Sequence, residues 1–118
     1  MRPTLLVGFA AALVAVVTSA PARADGKVST QVSGNQVQLT APKDTHMNPA
    51  FPWKITDSTD PKKKLKSKSD FSFDSGEQPA WAKVALVAGT LTGGYCDNSG
   101  GGCHTFTATC TSTGCTVN

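Results

Sequence analysis

Beyond residue 24 the sequence lacks any long apolar run, and it has no cysteine before Cys96. The first absence excludes a helical membrane span from this part of the chain, because a span needs about 20 consecutive apolar residues. The second excludes a lipid-anchoring cysteine directly after an export leader. Basic and acidic residues are also nearly balanced there, so the charge does not favour nucleic acid as a partner.

Motifs for hydrolysis, zinc binding and thioredoxin-type catalysis are absent as well. The serines stand in no G-x-S-x-G elbow, and the sequence has no C-x-x-C. The gap between Cys96 and Cys103 does not match the usual spacing of zinc ligands. Metal binding by cysteines together with His46 and His104 is therefore weaker than a disulfide hypothesis, and no metal or cofactor is expected.

Residues 1–24 have the composition of a cleavable secretory signal peptide. Arg2 supplies the basic start, residues 5–17 are almost entirely apolar, and Ala22-Arg23-Ala24 is an A-x-A cleavage site. The alternative, a membrane anchor, would need a longer apolar run. Cleavage would leave residues 25–118 as one domain in the periplasm or outside the cell. It would also lower the formal net charge from +3 to about +1.

The rest of the chain shows the alternation of β-strands. Polar and apolar residues alternate on both sides of Gly34-Asn35, which predicts a β-hairpin with its turn there. In residues 104–110 threonines alternate with Phe106, Ala108 and Cys110, which predicts a half-buried strand. The mature chain is Thr-rich, punctuated by glycine and short of strong helix formers. These patterns predict an all-β fold, a small antiparallel β-sandwich.

Two segments are less clear in the sequence. Residues 79–88 begin and end with helix punctuation, but their apolar residues also alternate, and we favour a strand over a helix. Three prolines in residues 42–52 favour an extended segment, which would place Phe51 and Trp53 on the same side to dock into the core. Phe71-Ser72-Phe73 is a candidate short strand.

Six of the nine lysines lie between Lys54 and Lys68. In residues 62–68, KKKLKSK, Leu65 is the only apolar residue among the positive charges, and no aromatic residue stands among them to stack on nucleic-acid bases. We interpret the run as a solvated loop. The alternative is that Lys62 to Lys68 form a patch that binds an anionic surface.

Four cysteines in an exported chain of this size predict two disulfides, at positions Cys96, Cys103, Cys110 and Cys115. Of the three connectivities we favour the two local pairs, because glycine-rich loops can bring each pair together. Each bond would stabilise the fold by about 2 to 2.5 kcal/mol. Asp97 would raise the pKa of a Cys96 thiol, and His104 could lower that of Cys103.

Two stretches resemble one protein family. They are residues 46–54, HMNPAFPWK, and residues 94–103, from Gly-Tyr-Cys-Asp to Gly-Cys. The chain resembles small exported bacterial proteins similar to the N-terminal periplasmic domain of the thiol-disulfide interchange reductase DsbD. The resemblance implies an immunoglobulin-like sandwich, stapled here by disulfides at its C-terminal end. It also implies that Cys96 and Cys103 pass reducing equivalents to another periplasmic thiol-disulfide protein.

The functional hypothesis is a thiol-disulfide carrier, at most an accessory exchange domain rather than an autonomous enzyme. In it Cys96 is the attacked or attacking sulfur, Cys103 resolves the mixed disulfide, and His104 is an electrostatic helper. The rival hypothesis is a non-catalytic binding or structural module whose disulfides, Cys96 and Cys103 with Cys110 and Cys115, are permanent.

Overall fold

The structure is a computed structural model that describes residues 27–118. The predicted signal peptide, residues 1–24, lies outside the described residues. Strands dominate the described part, and no helix within it is long and apolar enough to cross a membrane. The strands are β1 (Ser29–Ser33), β2 (Gln36–Thr40), β3 (Thr45–Met47), β4 (Lys54–Asp57), β5 (Asp60–Lys66), β6 (Ser72–Phe73), β7 (Trp81–Ala85), β8 (Gly89–Asp97), β9 (Cys103–Thr111) and β10 (Gly114–Val117).

The strands form two antiparallel sheets. One has four strands in the order β1-β2-β7-β6, and the other has six, in the order β10-β9-β8-β4-β5 with β3 also paired to β8. Strands β4 and β3 pair with successive parts of the same edge of β8, at Thr90–Thr92 and Tyr95–Asp97. The predicted antiparallel β-sandwich is confirmed, and its architecture is that of immunoglobulin-like domains.

Local sequence signals account for several of these elements. The β1–β2 hairpin turns at Gly34-Asn35 as predicted, and Gly34 has the positive φ of 63° that a two-residue turn requires. The predicted strand in residues 104–110 lies within β9, whose burial alternates with its threonines exposed. Residues 81–85 form strand β7, which confirms the strand over the helix.

Trp53 is the centre of the core between the two sheets. Its side chain is 1% exposed, and its ring lies 5.4, 5.2 and 5.7 Å from the rings of Phe71, Phe73 and Phe106. The indole Nε1–H donates a hydrogen bond of 2.7 Å to the carbonyl oxygen of Asn48. The ring therefore buries a large apolar surface without leaving its polar atom unpaired.

Phe51 does not share the environment of Trp53, contrary to the prediction. A Cβ on Gly93 would meet the Trp53 ring, and one on Gly94 would meet the Phe51 ring. Successive residues of a strand face opposite sides of the sheet, so the two rings cover opposite faces of β8. The segment turns instead of extending, because Phe51 N–H donates to the carbonyl oxygen of Asn48.

The lysine run is not a loop. Residues Asp60–Lys66 form β5, an edge strand of the six-stranded sheet, and Lys68–Asp70 form a short 3-10 helix. An edge strand needs little apolar alternation, because its side chains are largely solvated and lysines there discourage edge-to-edge pairing. The charge density of the run therefore predicted solvent exposure correctly, but the predicted loop was wrong, because the backbone forms a strand.

Candidate functional site

Strands β8 and β9 form a ribbon whose far end carries the first disulfide. Cys96 and Cys103 are directly opposite each other in the antiparallel register, and their Cα atoms are 3.9 Å apart. Cys110 on β9 and Cys115 on β10 are paired in the same way, with Cα atoms 4.0 Å apart. The two local pairings predicted from the sequence are both confirmed.

The loop beyond the first disulfide is exposed but anchored at its base. Asp97 N–H donates to the carbonyl oxygen of Gly102 at 2.8 Å, which closes the loop, and Gly100 N–H donates to that of Asp97 at 3.1 Å. Gly100 and Gly102 have φ angles of 81° and 132°, which side-chain-bearing residues rarely adopt. Cys103 is exposed while Cys96 is half-buried, so the disulfide lies at a protruding corner of the protein.

His46 lies beside this disulfide on the same face of the sheet. In the β3–β8 register it is directly opposite Cys96, so their Cβ atoms point to the same side, about 4.5 to 5.5 Å apart. Its Nδ1–H donates to Oδ1 of Asn98 at 2.7 Å, so Nε2 is the ring nitrogen left to exchange a proton with a neighbouring group. Asn98 is itself held by a hydrogen bond from its N–H to the carbonyl oxygen of Asp44.

His104, the predicted helper, lies on the other face. It follows Cys103 on β9, so its side chain points to the opposite side of the sheet. There its Nε2 is 3.2 Å from Oδ1 of Asp97, and its ring centroid is 5.2 Å from that of Tyr95. His104 is thus adjacent to Cys103 in sequence but is separated from the disulfide face by the sheet backbone.

The disulfide corner does not line either of two surface clefts found in residues 27–118. These clefts have volumes of about 270 and 190 Å³, and no cysteine or histidine lines either of them. Within residues 27–118 no group of three or more histidine, cysteine or acidic side chains could hold a metal ion. A protruding disulfide suits contact with another macromolecule better than enclosure of a small substrate.

No protein-family model, curated protein or solved structure matches this chain. The resemblance to the DsbD domain therefore stays a prediction from residues 46–54 and 94–103. The chemistry of the corner is therefore inferred from its own side chains. These are the Cys96–Cys103 disulfide and the His46 imidazole, which lie on the same face of the sheet.

Sequence reasoning did not find the position of His46. It stands 50 residues before Cys96, and the two meet only because β3 pairs with the end of β8. The one local signal was the alternation of Thr45 and Met47, both buried, around His46. That alternation could have placed His46 on an outer face, but not opposite a cysteine.

Proposed function

We propose that the protein is an exported thiol-disulfide exchange partner that uses the Cys96–Cys103 disulfide. The observation that carries the proposal is the exposed disulfide at the end of the β8–β9 ribbon with the His46 imidazole on the same face. Exchange needs a sulfur that a partner thiolate can reach and a way to stabilise the thiolate that leaves. The corner supplies the first through Cys103 and the second through His46.

The proposed exchange proceeds in two displacements. A partner thiolate attacks Sγ of Cys103, the Cys96–Cys103 bond breaks, and Cys96 leaves as a thiolate that takes a proton from the His46 imidazolium. The partner's second thiolate then attacks the partner's first sulfur, which is joined to Cys103 in the mixed disulfide. Cys103 is released as a thiolate and takes up a proton from solvent. Two electrons pass from the partner dithiol to Cys96 and Cys103. The partner's two thiol protons go to solvent, which protonates Cys103 and restores the proton of His46, and the reverse sequence returns the electrons.

This order of events differs from the one expected from sequence. The sequence hypothesis assigned the attacked sulfur to Cys96 and the resolving sulfur to Cys103. Exposure favours the reverse, because Cys103 is exposed and Cys96 is half-buried beside β3. It also favours His46 over His104 as the proton donor, since only His46 shares the face of the disulfide.

A second candidate function is a binding or structural module with two permanent disulfides. It is favoured by Cys110–Cys115, which has the same cross-strand placement as Cys96–Cys103 but includes a cysteine that is only 3% exposed. If one cross-strand bridge serves only to staple a hairpin of this fold, the other could do the same.

The test is to equilibrate the protein in glutathione buffers of graded potential and to alkylate and map the free thiols by mass spectrometry. Exchange predicts that Cys96–Cys103 opens alone, with a potential near or above about −230 mV. A potential below about −300 mV for both disulfides would establish the structural module instead. The C110A/C115A variant serves as the control, because it retains only the candidate redox pair.

A further inference from the structure

The positive charges of the described residues are gathered at one edge of the larger sheet. This lysine edge consists of β4, β5 and the following 3-10 helix, residues 54–70. It contains six lysines and three aspartates, whereas the other described residues contain three lysines and four carboxylates. The lysines of the edge are Lys54, Lys62, Lys63, Lys64, Lys66 and Lys68. Residues 27–118 are therefore positive at this edge and slightly negative elsewhere.

The aspartates of the lysine edge do not neutralise it by pairing with the lysines. Asp57 accepts hydrogen bonds from the N–H and Oγ1 of Thr59, and Asp70 accepts one of 2.8 Å from the N–H of Ser67. Across residues 27–118 the one ion pair within 4.0 Å joins His104 and Asp97. No lysine ammonium of the edge is therefore held in a direct ion pair, although the charges of Lys63 and Lys66 act on Asp57 and Asp70 at longer range.

The edge is poorly suited to adding a peptide strand. Pro61 has no N–H to donate, and the N–H of Lys62 already donates to Oδ1 of Asp60 at 3.1 Å. The register between β4 and β5 shifts on both sides of Thr56, which bends an edge away from further pairing. Recognition here must therefore pass through the lysine side chains and not through the backbone.

The chemistry of those side chains favours an extended anionic surface. An ammonium is a point charge without the fork of arginine, so it does not select one phosphate by shape. The seven residues of β5 extend over about 23 Å, which spans several lipid headgroups. The slightly negative remainder of the molecule would orient the positive edge toward a negative plane. The apolar side chain in the run, Leu65, lies against Gly89 and is not free to insert.

We propose that the lysine edge docks the protein on the surface of an anionic phospholipid bilayer. The contact is electrostatic and reversible by salt. Strand β5 pairs with β4, which in turn pairs with Thr90–Thr92 of β8, at the opposite end of β8 from Cys96. Docking would therefore leave the Cys96–Cys103 corner exposed to a partner, although this proposal does not depend on the redox function.

The test measures co-sedimentation of the exported protein with phosphatidylcholine vesicles that contain about one third phosphatidylglycerol, and with pure phosphatidylcholine vesicles. We expect binding only to the anionic vesicles and release when salt is raised from about 0.05 to 0.5 M. The K62Q/K63Q/K64Q variant should bind about a hundredfold more weakly, since each lysine near such a surface contributes about fivefold.

The matched control is K27Q/K43Q/K83Q, which removes the same charge from lysines outside the edge. It should weaken binding only severalfold. Equal weakening by both triple variants would mean that net charge alone drives the association, and would overturn the assignment of the site. Binding to a sulfated glycan such as heparin but not to anionic vesicles would overturn the lipid as the partner. Thermal unfolding of each variant checks that these exposed substitutions leave the fold intact.

Discussion

Cys96–Cys103 and Cys110–Cys115 each join directly opposite residues of neighbouring strands, and each includes one cysteine of β9. Their surroundings differ. Cys110 is 3% exposed and belongs to the core, whereas Cys103 is exposed beyond the end of the core. The comparison teaches that connectivity does not decide which bridge a partner can open. Position along β9 relative to the core decides it.

Removing each bridge in turn should lower the free energy of unfolding, and the loss should be larger for the buried bridge. Loop closure alone predicts losses of about 2.5 kcal/mol for C96A/C103A and about 2.2 kcal/mol for C110A/C115A. Truncating the buried Cys110 should add about 1 kcal/mol, because a packed sulfur is lost from the core. Urea unfolding of both variants measures the difference. A larger loss for C96A/C103A would instead make the exposed bridge the main staple.

Adjacent glycines of β8 provide a second comparison between the core and the outside. A Cβ on Gly93 would collide with the fully buried Trp53 ring, and one on Gly94 would lie 2.8 Å from the half-buried Phe51 ring. G93A should cost about 1 to 3 kcal/mol through overpacking, and G94A clearly less, because Phe51 can move into solvent. Both changes have the same effect on backbone entropy. Equal losses in thermal unfolding would show that Phe51 is as constrained as Trp53.

Elements fixed by short-range chemistry could be predicted from the sequence. The turn at Gly34-Asn35, the alternating strand in residues 104–110 and the two disulfide pairs all depend on residues within a few positions of each other. A two-residue turn fixes the register of its hairpin, and alternation fixes the buried face. These signals were sufficient for the sandwich and for the position of the exposed disulfide.

Features that depend on distant pairing could not be predicted. His46 meets Cys96 only through the β3–β8 register, which no local pattern specifies. The lysine run becomes a strand because β4 offers it an edge, although its own residues have little β-propensity. Phe51 and Trp53 separate because the chain turns between them, and only the glycines of β8 make room for a ring on each face.

The two histidines allow the exposed bridge to be examined further. If His46 protonates the departing Cys96 thiolate, H46Q should slow the reaction of Cys96–Cys103 with glutathione by about tenfold near neutral pH, which is less than the roughly 10²- to 10⁴-fold of typical general acid catalysis. H104Q is the matched control and should change the rate by less than about twofold, because its ring lies on the other face. Equal effects of both variants would contradict a specific role for His46.

The smallest expected effect lies in the lysine edge, at the opposite end of β8 from the exposed bridge. The pKa of Asp57 is lowered, chiefly by hydrogen bonds from Thr59 and also by the charge of Lys63. The pKa of Asp70 is lowered chiefly by the backbone N–H of Ser67. A pKa lowered on folding contributes stability that is present above the usual value of 3.8 and is lost as pH falls through the folded value.

Acid should therefore destabilise the protein below about pH 4 partly through these two carboxylates. The D57N/D70N variant should lose less of its free energy of unfolding than the wild type when the pH is lowered from about 6 to 3, as measured by urea unfolding at each pH. The same difference should persist in the C96A/C103A background, because the lysine edge and the exposed bridge lie at opposite ends of β8. A difference that disappears in that background would show that the two ends of the sheet are energetically coupled.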